Sequence, residues 1–272
     1  MKKRFIILID FSENSGNLLK YAYDWSLQIN AELHLVHQST IVVPGFTERN
    51  VKEKITGNTN NELLLRLKQL AEDILPSLDK VSYSVSESHL QVTIPNLLAE
   101  PFDHLIFVGL KETGFLEKWI LGNVAIGLIE NINNIIVAMP KEISKFSHEK
   151  IFVAVTEKHP LNILALNNFL HYLDEEETSL TFFNLAKPNE NTEDVEKYLK
   201  DLVKLFASRF SSTFAIYKGE NSLQEIKKVI NNKIDELLIV QKGSRLLTDH
   251  FFRKFLINEL VYEGQTPLIV LP

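Results

Sequence analysis

Cysteine is absent from this chain of 272 residues. That excludes disulfides, thiolate metal sites and a cysteine nucleophile. Glycine is scarce, at 10 residues, so glycines that cluster are expected to serve a backbone need. No apolar run approaches the roughly 18 residues that a membrane span requires. A basic field is missing as well. The net charge of −6 argues against a nucleic-acid partner. The sequence holds no Gly-x4-Gly-Lys-Ser/Thr phosphate loop, no Gly-x-Gly-x-x-Gly after the first strand and no Gly-x-Ser-x-Gly elbow. His34 and His37 are three apart on an expected strand, so they point to opposite faces and cannot share a metal. Each of the 8 histidines reads as a surface or packed imidazole. No nucleophile–base pair is recognisable, so no catalytic residue and no metal site are assigned. The acidic run Asp174–Glu177 reads as a solvated loop, because consecutive residues cannot all converge on one cation.

What is present is a soluble globular composition, 45% apolar and 24% charged. The opening Met1–Asp10 begins like a signal peptide, but its apolar run Phe5–Ile9 is short and ends on a carboxylate. It reads as a first strand, and a cytoplasmic location is expected.

The chain runs twice through one strand–helix plan of about 140 residues. The halves open on Phe5–Asp10 and Ile151–Thr156 and close on Asn134–Pro140 and Pro267–Pro272. The division expected is residues 1–140, a polar linker over 141–149, and residues 150–272. In the first half, strands are expected at 5–10, 31–37, 81–85, 104–108 and 135–139, with helices after Ser15, over 61–75, over 91–99 and near 122–131. In the second half, strands are expected at 151–156, 179–185, 213–217, 235–240 and 268–271. Its helices are expected at 161–173, 192–208, 222–232 and 251–262. Apolar strands alternating with helices imply an α/β fold with parallel sheets and right-handed crossovers.

In open α/β sheets, ligands sit beyond the carboxyl ends of the strands, where the strand order reverses. Asp10 ends the first strand and Gly109 ends the fourth, so both face one crevice if those strands are neighbours there. Gly109 permits close backbone approach. Gly122 and Asn123 open the next helix, whose free N–H groups suit a phosphate. Asp10 reads equally well as a helix cap or as an acceptor for a ribose hydroxyl.

These residues resemble the universal stress protein family over essentially the whole chain, as two tandem domains. The resemblance rests on "ILIDFSENS", "AELHLVH", the Gly109–Asn123 loop and "NNIIVAMP". It implies two doubly wound five-stranded domains of the adenine nucleotide alpha hydrolase-like type, with strand order 3-2-1-4-5. It also implies pairing through the last strands within the chain, and leaves a further homodimer open. Members that bind ATP carry Gly-x2-Gly-x9-Gly-Ser/Thr after strand four and an Asp after strand one. Here that register reads Gly109, Glu112, Gly122 and Asn123, with Asp10 kept. Glu112 departs from the pattern, since its charge opposes a phosphate. Lys111 and Gly114 flank it. In the second half the same register reads Gln241, Ser244, Lys254 and Phe255, with Thr156 in place of the acid. The resemblance thus implies ATP or a related adenine nucleotide, with or without Mg, in the first half only. Asp10 and the strand-two residues near Val36 to Gln38 would lie against the base and ribose; Gly109, Lys111, Gly114, Gly122 and Asn123 would lie against the phosphates. Three readings stand beside each other: a nucleotide-binding stress-response protein, a member without nucleotide that acts as an interaction scaffold, and an enzyme such as an ATPase or a nucleotidyl-transfer relative, for which no base or metal cluster beyond Asp10 is recognisable.

Overall fold

The computed structural model describes residues 1–40, 49–110, 123–156, 159–186, 189–218, 236–244, 247, 261 and 265–272. The first half contributes β1 (Lys2–Leu8), α1 (Ser15–Ile29), β2 (Glu32–Gln38), α2 (Arg49–Ile74), β3 (Val81–Ser86), α3 (Leu90–Leu98), β4 (Phe102–Gly109), α4 (Asn123–Asn131) and β5 (Ile136–Met139). The second contributes β6 (Lys150–Ala154), α5 (Ile163–Leu170), β7 (Ser179–Ala186), α6 (Glu193–Phe206), β8 (Ser211–Lys218), β9 (Glu236–Gln241) and β10 (Leu268–Leu271). The helices expected at 222–232 and 251–262 lie essentially outside the described residues.

The strands form one sheet of ten, ordered β3-β2-β1-β4-β5-β10-β9-β6-β7-β8. Each half has the order 3-2-1-4-5, and every pairing within a half is parallel. The halves join where β5 meets β10 antiparallel, with Ile269 opposite Val137. Both joining strands are fully buried, as four-residue apolar runs must be when neither is an edge. One half is therefore inverted relative to the other along the sheet.

The inner strands bury both faces, which is why they read as continuous apolar runs, whereas the edge strands β3 and β8 stay partly exposed. Phe5, Ile7, Leu33, Leu35 and Phe107 join one core layer with α1 and α2, and that layer continues through Val153, Phe182 and Ile239. Ile6, Leu8, Val36, Ile106 and Val108 join the opposite layer with α3 and α4. Along α1, Leu18, Leu19, Ala22, Trp25 and Ser26 are buried at helical spacing. The helix ends at Asn30, whose left-handed backbone returns its N–H to the Ser26 carbonyl. Residues 141–149 are packed against the halves. Phe146 is buried and stacks on Trp25 at 4.3 Å, and His148 bonds the Thr178 hydroxyl at 2.8 Å. Among the described residues, no helix is long and apolar enough to cross a membrane.

At the amino ends of the strands, Arg4 forms an ion pair with Glu100 and lies over the Phe102 ring at 3.4 Å. His34 and His104 share its neighbourhood. Burial, then the charge of Arg4, pushes His34 below the ordinary value of 6.5. Burial, opposed by the Glu100 carbonyl, pushes His104 below the same value. The bond from Arg4 holds Glu100 below 4.5. The unfolded chain therefore takes up protons before the folded one, both at the imidazoles and at the carboxylate. Stability is expected to be full above the ordinary histidine value and to fall as pH drops through the histidine and then the carboxylate range. Urea melts at pH 7 and pH 5 check this, and the double variant His34→Gln/His104→Gln should lose less between them.

Candidate functional site

β1 stops at Leu8, but Ile9 still donates its N–H to the Val36 carbonyl at 2.9 Å. The chain then turns at Asp10 and Phe11 and enters α1. Asp10 Oδ1 accepts from the Ser12 N–H at 2.9 Å and from the Ser15 hydroxyl at 3.0 Å. This carboxylate thus organises the turn that starts the helix, as Asx turns do. It also stays exposed at the crevice. The capping role does not take Asp10 out of the crevice: the same residue organises the turn and lines the cavity described below.

β4 runs beside β1, with Val108 opposite Leu8, so Gly109 emerges next to Ile9 and Asp10. Beyond it, Leu110 donates to the Met139 carbonyl at 2.8 Å, and its own carbonyl accepts from Asn14 Nδ2 at 3.1 Å. A Cβ placed on Gly109 would meet nothing nearer than Leu18 Cδ2 at 3.9 Å. Among the described residues, nothing there would collide with a side chain.

Between these strand ends lies a cavity of about 350 Å³, within the range of small-molecule sites. Its apolar wall includes Leu8, Leu18, Val36, Leu90, Val108 and Ala125. Its polar groups include Asp10, Ser12, His37, Gln38 and Thr40. Asp10 is the one charged side chain among the described lining residues. Apolar walls with a few convergent polar groups suit a flat heteroaromatic ligand.

Of the residues singled out from the sequence, Asp10, Val36, Gln38 and Gly109 line this cavity together. Gln38 Nε2 also reaches His89 Nδ1 at 3.4 Å. Asn123 begins α4, whose next two residues, Val124 and Ala125, border the cavity. Lys111, Glu112, Gly114 and Gly122 lie outside the described residues. His37 falls within the Val36–Gln38 stretch expected against the base and also lines the cavity, at the carboxyl end of β2, where an open sheet places its ligands. Sequence reasoning missed Ser12 and Leu90.

The second half shows the same register with other chemistry. Val155 donates to the Phe183 carbonyl at 2.8 Å, as Ile9 does to Val36. Asn184 Nδ2 donates to the Val155 carbonyl at 2.7 Å, where His37 Nδ1 donates to the Ile9 carbonyl at 2.7 Å. Thr156 takes the place of Asp10; it is buried, and its hydroxyl donates to the His159 carbonyl at 3.4 Å. Gln241 takes the place of Gly109. Its Oε1 accepts from the Asn162 N–H at 3.1 Å, and its Nε2 donates to the Pro272 carbonyl. A side chain therefore spans the space that Gly109 leaves open in the first half.

No protein-family model matches the sequence, and no curated protein matches it significantly. Solved structures do match. A universal stress protein from Archaeoglobus fulgidus aligns with a TM-score of 0.64 at 14% identity, over 98% of this chain and 97% of that one. A Pseudomonas aeruginosa protein assigned as a universal stress protein aligns at 0.58 and 15% identity, over 99% and 93%. A functionally unknown protein from the same species aligns at 0.57 and 14%, over 99% and 92%. The chain has the fold of universal stress proteins, in a form that spans nearly the whole length of these structures.

Proposed function

We propose that this is a cytoplasmic stress-response protein of the universal stress family that holds ATP or a related adenine nucleotide, with its Mg, in the crevice of the first half. The observation that carries the reading is the cavity itself, with Asp10 and an open Gly109 meeting over apolar walls. The base would lie between Val36, Leu90 and Val108, where ring faces are bound without hydrogen bonds. Asp10, already held by Ser12 and Ser15, would accept from a ribose hydroxyl with no further ordering. The phosphates would run toward the start of α4, where N–H groups unpaired within the helix favour anions. The scaffold reading is favoured by Glu112, which stands where the family's nucleotide-binding members keep a glycine.

Calorimetric titration with ATP–Mg separates the two readings. We expect one nucleotide per chain, and the same affinity in Thr156→Ala, because the second half takes no part. An absence of binding at millimolar nucleotide leaves the scaffold reading. A large loss in Thr156→Ala moves the site to the second half.

A further inference from the structure

We infer that His37 is a specificity-determining residue of the cavity, and that it reads a donor on the ligand's edge: the exocyclic 6-amino group of a purine. The inference rests on the nucleotide reading above and adds the group that selects the base. A carbonyl oxygen only accepts, so the 2.7 Å bond from His37 Nδ1 to the Ile9 carbonyl puts the hydrogen on Nδ1. In the neutral ring, Nε2 then carries a lone pair. The residue lines the cavity, and Nε2 has no hydrogen-bond partner among the described residues. The cavity thus holds a directional acceptor at the end of β2, beside the apolar surfaces of Val36, Leu90 and Val108 that suit the faces of a base.

The ring is held in place. Phe11 packs against it with centroids 4.5 Å apart, and the Arg66 guanidinium covers Phe11 at 4.2 Å. Phe11 adopts φ 57°, a left-handed conformation that a bulky residue rarely takes. Backbone strain of this kind persists where surrounding contacts enforce it, and it clusters at ligand clamps. The second half supplies an internal comparison. Asn184 makes the same bond to the strand carbonyl from a buried position, so the fold needs only an amide donor at this register. The imidazole satisfies the same carbonyl with one nitrogen and has a second left for a ligand, in a residue that lines the cavity.

The test compares ATP with purine riboside triphosphate, which differs only by the missing 6-amino group, in one buffer. A site acceptor left unpaired should cost the analogue about tenfold in affinity. In His37→Asn, which copies the amide of the second half, the acceptor withdraws while the carbonyl bond is kept. The preference should narrow to within about twofold, with the melting temperature unchanged. His37→Phe, which keeps the stack on Phe11, should narrow it equally. If wild type prefers ATP and both variants keep that preference, the assignment of His37 is wrong and the nucleotide site stands. If wild type binds both triphosphates equally, the assignment is also wrong. If it binds neither, the nucleotide reading falls and this inference falls with it.

Discussion

Replacing Gly109 by glutamine should abolish nucleotide binding, weakening it by at least a hundredfold, and leave the fold intact. The chain has already carried out this substitution once, at Gln241 in its second half. There the side chain crosses the crevice to the Asn162 N–H and the Pro272 carbonyl. In the first half the glycine backbone does not use the left-handed region, and a Cβ would touch only Leu18 at 3.9 Å. Among the described residues neither strain nor collision opposes a side chain, so the stability change should stay within about 1 kcal/mol. The added side chain would occupy a cavity of about 350 Å³ that a nucleotide needs almost entirely. Titration with ATP–Mg beside a thermal melt checks both parts. A variant that still binds at wild-type strength would place the ligand elsewhere.

Trp25→Ala should be the most destabilising single change in the described core, by about 3–5 kcal/mol. The indole is fully buried and stacks on Phe146 at 4.3 Å with ring planes 8° apart. It meets Phe5, Phe107 and Phe169 edge-on. Its N–H donates to the Tyr172 carbonyl, in the other half, at 2.8 Å. Truncation therefore opens a large void and leaves a buried carbonyl unpaired. A loss of that size is a large part of the roughly 5–15 kcal/mol that holds a domain folded. Trp25→Phe keeps most of the packing but not the bond, and should cost about half as much. Because Trp25 ties α1 to the second half, a single unfolding transition is expected in wild type. Urea denaturation followed by far-ultraviolet dichroism measures all three quantities. A Trp25→Ala variant within about 1 kcal/mol of wild type would mean that the halves do not depend on this contact.

Much of this fold was legible in the residues because its strands are buried on both faces. Phe5–Ile9, His104–Val108 and Leu268–Leu271 are apolar runs with few alternative readings, and the duplicated closing strands pointed to the architecture. The start of α2 was not legible. The helix begins at Arg49, well before the expected 61, because its early turns stand off the core. Val51 and Ile55 are exposed there, and Thr56 is buried, so no apolar stripe marks the helix. At the site, Asp10 and Gly109 followed from a topological rule. The same rule reaches His37 at the end of β2, but its bond to the Ile9 carbonyl on the neighbouring strand needed the structure. The loss of the glycine in the second half was visible as a change of residue at Gln241. How its side chain bridges a helix start and the last residue needed the three-dimensional register.

The central proposal is that, of the two copies of one sheet plan, the copy with Asp10 and Gly109 takes a nucleotide and the copy with Thr156 and Gln241 does not. Difference density from crystals grown with ATP and Mg tests it most directly. The account predicts one nucleotide per chain beside Asp10, its base against Val36 and its phosphates near the start of α4. Density beside Thr156, or none in either crevice at saturating ATP, would contradict it.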